Sequence, residues 1–444
     1  MRRFSALAVL FWLVTASHAE TYTVCSSGCD YTSINAAIDA AGDGDVIELL
    51  AETYQEGSEI NTDGKAITLR GALDKGGAPA SILDGAGSHR VLLCTSGETS
   101  ATQFENLQVR NGFAEEGGGL RCSMSSPTLS NCVFLVNRAK YGGALSFMDG
   151  CDSTVIGCRF EGNSGINDAG VVYVRDSVVS FSDCVCTGNI AKYGGVLYGP
   201  GSTSWINCEF TANIAFDYGG ALYAYGDGLT VTDCRFVGNT SDNGGAIYAK
   251  ADEVTIVRCA FEGNQAIKGG ALYYSKSEGV GIIDQCTFRN NVGAEDGAIR
   301  IYGAPTVSDC TIFGNQGPLG AGMAVVSTLH APSLSGTTIC GNYPDQVDGD
   351  WQDIGSNCVQ DACDACSLSV AVPVEPSVDV LVEDTFATEF VSKAGITYEL
   401  ESTPDLVSSN FSGTGAFVIG TGTNMVLFDP TGFSDTKHYR VAIK

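Results

Sequence analysis

A unit of about 25 residues recurs down the middle of the chain, and nothing else in the sequence limits the fold as tightly. It reads apolar-x-x-Cys-x-Phe-x-x-Asn, then about five residues, then Gly-Gly-Ala-Leu-Tyr. The asparagines fall at Asn111, Asn137, Asn163, Asn189, Asn213, Asn239, Asn264, Asn291, Asn315 and Asn342, in steps of 24–27. Cysteines keep step at Cys132, Cys158, Cys184, Cys208, Cys234, Cys259, Cys286 and Cys310. The residue three before each of these cysteines is always apolar, from Leu129 to Val307. The apolar pieces are only three to five residues long and are punctuated by Gly, Asn and Asp, so they are strands and turns rather than helices.

Three short strands and three turns fill such a unit. The expected fold is all-β: a right-handed parallel β-helix of about ten coils, each strand pairing with its counterpart one coil on, about 4.8 Å away. Alternation puts Cys and Phe on one face of a strand, pointing into the bore. The asparagines are read as a ladder at a turn, satisfying backbone groups and stacking amide on amide. The Gly-Gly pair marks a tight corner with close backbone approach. The cysteine ladder is expected to hold mostly reduced, space-filling thiols, although stacked Cα atoms about 4.8 Å apart also lie within disulfide reach.

If Leu145, Leu197, Leu222, Ile247 and Leu272 point inward, the next residues point outward. Tyr173, Tyr198, Tyr223, Tyr248 and Tyr273 then form an outward ladder of exact 25-residue period. Two readings stay open: a ladder that merely covers the sheet, or a stripe that stacks sugars or adheres to a surface. Tyr248 is the residue singled out for a functional test.

The ends differ from the middle. Residues 1–19 carry Arg2, Arg3, an apolar run and a small-x-small site, the pattern of a secretory signal peptide. Cleavage after Ala19 leaves 22 basic against 51 acidic residues, a formal charge of −29. Such acidity argues against nucleic acid as a partner, and no run is long enough for a membrane span. The expected setting is secreted or cell-surface, with an extracellular glycan or surface protein as partner. Export places 18 cysteines in oxidising conditions; Cys25, Cys29, Cys340, Cys358, Cys363 and Cys366 are the disulfide candidates. A zinc site is disfavoured, because only Cys363 and Cys366 form a C-x-x-C pair.

In 20–110, Ile34, Ala37, Ile38 and Ala41 take helical spacing behind Thr32 or Ser33, predicting a short helix that plugs the open end of the bore. The repeats and a Cys-rich closing segment occupy 111–366. A linker with two prolines follows at 367–375, then a small sandwich-like all-β domain at 376–444.

The motifs "GGAL" at Gly142, Gly219 and Gly269, "GGAI" at Gly244, and "FLVN", "FEGN", "FTAN", "FVGN" and "FRNN" between them resemble the repeats of polymorphic outer membrane proteins, over about 111–342. That resemblance implies a β-helical adhesin of the pectin-lyase-like superfamily. Those proteins end in a membrane β-barrel, for which the segment after Asn342 is too short, so anchoring is not implied. "YTSINAAIDAAGDGDVIEL" resembles the start of many pectin-lyase-like proteins, and "CGNYPDQVDGDWQDIGSNCVQDACDAC" the closing segment of secreted bacterial β-helix proteins.

The pectin-lyase fold also hosts lyases, hydrolases and epimerases of polysaccharides, but fold does not grant function. The uniform coil length leaves no room for cleft-walling loops. His89, His330 and His438 are scattered, and no paired-aspartate motif is present. Arg175, Asp176, Tyr225 and Lys250, near Asp217 and Asp242, are the groups that favour an enzyme; ordinary solvated surface explains them equally well. Acidic residues Glu116, Asp168, Asp217, Asp242 and Glu295 recur before the glycines, a pattern open to weak Ca2+ binding, though no spacing matches a defined calcium loop. The sequence thus favours a non-catalytic adhesive, surface-binding or scaffold protein, ahead of a polysaccharide-acting enzyme or a carbohydrate-binding protein without turnover.

Overall fold

A computed structural model describes residues 19–276, 280–327 and 330–366, and five strands beyond them. The expected signal peptide (1–19, Ala19 excepted) and linker (367–375) lie outside the described residues. The chain winds as a right-handed parallel β-helix. One coil shows how the sequence dictates it. After Cys234, strand Arg235–Val237 places Phe236 inward; Gly238 turns the chain at φ +61°, and Asn239 begins the next side. Strand Thr240–Asn243 runs to the Gly244-Gly245 corner, and Ile247–Val257 returns to the next cysteine. Arg258, at φ +53°, makes the last turn.

Most coils carry four strands, not the expected three. Leu197–Gly199 and Ser202–Ile206 are separate, for instance, and only Leu222–Thr232 and Ile247–Val257 run through without a break. The sheet that carries Cys-x-Phe has 13 strands, so the solenoid has 13 coils rather than about ten. The extra ones, at Thr53–Tyr54, Ser81–Asp84 and Cys358–Gln360, lack the Cys-x-Phe-x-x-Asn signature.

The bore is filled by side-chain ladders. Phe210, Phe236, Phe261 and Phe288 stack with centroids 4.5–4.8 Å apart and planes within 5°. Cys186 takes the place of a phenylalanine between Phe160 and Phe210. Leu145, Leu197, Leu222, Ile247 and Leu272 face the same core. Beside them runs the asparagine ladder. Asn137, Asn163, Asn189, Asn213, Asn239, Asn264, Asn291 and Asn315 are fully buried, each amide donating to a backbone carbonyl of the preceding coil and to the next ladder side chain. Asn342 closes it onto Gln346 Oε1. Asn111 is not a rung: Gly112 occupies that place and donates its N–H to Asn137 Oδ1 at 2.9 Å, while Asn111 bonds Asp84.

The ladder cysteines Cys132, Cys158, Cys184, Cys208, Cys234, Cys259, Cys286 and Cys310 are buried free thiols, as are Cys94, Cys122, Cys151 and Cys186. The Sγ–H groups of the ladder donate to backbone carbonyls, as Cys234 does to Thr232 O at 3.3 Å. Disulfides sit at the ends: Cys25–Cys29, Cys340–Cys363 and Cys358–Cys366. The N-terminal plug is helix Ile34–Ala40, capped by Ser33 and burying Ile34, Ala37 and Ile38; Lys65 Nζ donates to three carbonyls at its C-terminal end. Beyond the closing segment, Thr388–Val391 pairs with Asn424–Leu427, and Thr397–Thr403 pairs with both Ser412–Ile419 and His438–Ile443, all antiparallel. Among the described residues no helix is long and apolar enough to cross a membrane.

Candidate functional site

The Gly-Gly corner is dictated by geometry. Gly219 sits at φ +63°, and a Cβ there would lie 2.2 Å from Leu222 O. A Cβ on Gly220 would lie 1.9 Å from Gly245 O of the next coil. No side chain fits either position without a clash against backbone, so the corner is kept tight.

Tyrosines stand on both sides of that corner. Tyr173, Tyr198, Tyr223, Tyr248 and Tyr273 are paired in register on the strands after it. Tyr141, Tyr193 and Tyr218 come from the strands before it, in a column that also holds Asp168. Across the corner the ring centroids of Tyr193 and Tyr198 are 5.7 Å apart, and those of Tyr218 and Tyr223 5.3 Å. The two columns therefore meet in ring contact across the corner and form one continuous tyrosine floor. Contacts of 4.8–6.1 Å continue from Tyr141 through Tyr173 and Tyr198 to Tyr248 and Tyr273, and Tyr225 packs on Tyr198 at 5.1 Å. Phe216, two residues before Tyr218 on the same strand, is 60% exposed.

Most of these rings are half-buried, but Tyr248 is only 8% exposed, which overturns its choice as the residue to test. Tyr218, Tyr223 and Tyr273 crowd its ring, and its hydroxyl donates to Ser275 Oγ at 3.1 Å. Tyr198 and Tyr223, in the middle of the floor, are better placed. The second column was missed in the sequence because Asp168, Asn243 and Lys268 interrupt its period. The signal was there in "KYGG" at Lys140 and Lys192 and "DYGG" at Asp217.

Charge frames the floor. Lys140 Nζ lies 5.0 Å from the Tyr141 ring, Lys192 Nζ 4.7 Å from Tyr193, and Arg300 5.2 Å from Tyr273. Burial pushes the phenols of Tyr173, Tyr198 and Tyr223 up, so they stay protonated donors near neutrality. Burial also pushes the Asp168 carboxyl up to about 6, against the opposing pull of Lys192 and Lys140.

The groups that favoured an enzyme are dispersed or already engaged. Arg175 pairs with Asp149 at 3.1 Å and lies 3.8 Å from Asp176, Lys192 pairs with Asp217 at 3.7 Å, and Lys250 is exposed beside Tyr225. Of the other acidic residues before the glycines, Glu116 pairs with Arg121 and Glu295 with Lys268, while Asp242 is exposed. Among the described residues, no three His, Cys, Asp or Glu are grouped to hold a metal ion. A shallow depression of about 710 Å3 lies elsewhere, lined by Gln55, Asp84, Asn111, Phe113, Val136 and Arg138. Its acid is consumed, since Asp84 binds both Arg110 and Asn111.

Profile comparison agrees on the fold. The sequence profile of the right handed beta helix region matches residues 169–339. No curated protein matches the chain. Among solved structures, a mannuronic acid specific polysaccharide family 6 lyase from human gut microbiota is similar at 13% identity and TM-score 0.38, covering 78% of this chain and 83% of its own. The catalytic unit of an alpha-1,3-glucanase from Streptomyces thermodiastaticus gives 13% and 0.39, with 74% and 65% covered. The receptor binding domain of the Siphovirus 9NA tailspike gives 10% and 0.34, with 95% and 90% covered. The profile match and the parallel strand pairing together define a right-handed parallel β-helix.

Proposed function

We propose that this is an exported, non-catalytic glycan-binding rod that lays an extended saccharide chain along the tyrosine floor. The observation that carries this reading is the unbroken run of ring contacts on both sides of the Gly-Gly corner, from Tyr141 to Tyr273. A half-buried phenol offers a sugar both an apolar face and a hydroxyl. Coils repeat at about 4.8 Å, so the five tyrosines after the corner span roughly 19 Å, with the pitch close to the length of one pyranose unit. The rings brace one another and lose little freedom on binding. The resemblance of the repeats to those of polymorphic outer membrane proteins supports an adhesive setting for the same face.

A broad glycan array tests this. One or more saccharide series is expected to bind, with signal rising with chain length to about five units and then levelling. Uniform absence of binding, or binding indifferent to Tyr198→Ala combined with Tyr223→Ala, would refute the reading.

A further inference from the structure

Asp168 stands in the tyrosine column before the corner, in register between Tyr141 and Tyr193, while a second carboxylate, Glu116, flanks Tyr141 at the column's start. It is half-buried, and among the described residues its side chain has no hydrogen-bond or ion-pair partner, whereas Asp149, Glu116 and Asp217 nearby each hold a cation. The titratable and charged groups around it are Tyr141 and Tyr193 on the neighbouring strands, Tyr173 and Tyr198 across the corner, and Lys140 and Lys192. The two ammonium groups also face Glu115 and Asp217. One coil back from Tyr173 in its column, Ser146 is fully buried and its Oγ has no partner among the described residues.

A half-buried carboxylate without protein donors is partly stripped of water, and a ligand that supplies donors relieves that cost. Paired hydroxyls on adjacent sugar carbons match the two oxygens of a carboxylate. A sugar acid would instead bring like charge to the same spot. We propose that Asp168 is the specificity-determining anchor of the tyrosine floor: its carboxylate accepts hydrogen bonds from vicinal hydroxyls of a neutral glycan and disfavours the uronate counterpart. This inference rests on the glycan-binding reading above and deepens it.

The carboxyl titrates near 6, and only its ionised form accepts both hydroxyls. Affinity therefore rises with pH through about 6 and levels above it, and binding near pH 5.5 releases a proton. With the competent fraction down to about a tenth at pH 5, the dissociation constant should be roughly tenfold weaker there than at pH 7.5.

The test is calorimetry on the full chain with hexasaccharides of β-1,4-glucose, β-1,4-mannose and α-1,4-galactose, each beside its 6-carboxyl counterpart. At least one neutral hexasaccharide is expected to bind better than its uronate partner, with the tenfold pH profile. Asp168→Asn should weaken that binding and flatten the profile. A flat profile in the wild type, equal or better binding of the uronates, or Asp168→Asn that keeps the profile would overturn the proposal. So would failure of all three neutral hexasaccharides. If binding falls with Tyr198→Ala and Tyr223→Ala but ignores Asp168→Asn and pH, only the anchor role is lost and the tyrosine floor stands.

Discussion

The side-chain amide of Asn213 donates to Asn239 Oδ1 at 3.0 Å, and so does the Asn213 backbone N–H, at 3.0 Å. One buried oxygen thus satisfies two donors of the preceding coil, while Asn239 Nδ2 satisfies Phe210 O at 2.9 Å. Asn239→Ala would strand two donors and one acceptor where water cannot reach. At about 1–3 kcal/mol for each orphaned group, the loss should be at least about 3 kcal/mol. Urea unfolding measures it; a loss under about 1 kcal/mol would contradict the ladder's role.

Val136 occupies the turn before rung Asn137 at φ +49°, where Gly162, Gly188, Gly238 and Gly263 stand in other coils. A β-branched residue is strained in that region. It is 48% exposed, so little packing depends on it. Val136→Gly should therefore raise stability, by about 0.5–1 kcal/mol after the added freedom of the unfolded glycine is counted. The reverse change, Gly162→Val, should destabilise, since even a Cβ there would lie 3.3 Å from Val136 Cγ1. Thermal melts of the pair should shift in opposite directions; melts shifting together would refute the strain.

The cysteine ladder has a simple chemical signature. Burial pushes the thiols of Cys158 and Cys186 well up, so they are protonated and poor nucleophiles in the folded chain. Titration of the denatured, unreduced protein should find 12 thiols, rising to 18 after reduction of the three disulfides. Near-zero free thiol before reduction would mean that the rungs are cross-linked.

What could be read in the sequence was whatever the bore imposes on every coil. Cys-x-Phe, Asn and Gly-Gly recur because each lies where the next coil touches it, so register enforces identity. The outer surface is under no such demand, and there the reading thinned. Tyr193 and Tyr218 share a column with Asp168 and Lys268, so period alone did not find the second column of the floor. Tyr248 was read as open because alternation gives a direction, not what neighbouring coils lay over it. The fourth strand escaped for a related reason: Pro200 and Gly201 interrupt one coil where Tyr225 and Gly226 continue another.

The most direct test of the tyrosine floor is the equilibrium dissociation constant of one array-selected oligosaccharide for the wild type and for Tyr198→Ala combined with Tyr223→Ala. Tyr343→Ala, which removes a ring 77% exposed outside the floor, serves as the control. Two aromatic contacts at about 0.5–1.5 kcal/mol each predict a roughly 5- to 150-fold weaker complex for the double variant and an unchanged one for the control. Unchanged affinity in a folded double variant, or an equal loss in Tyr343→Ala, would contradict the account.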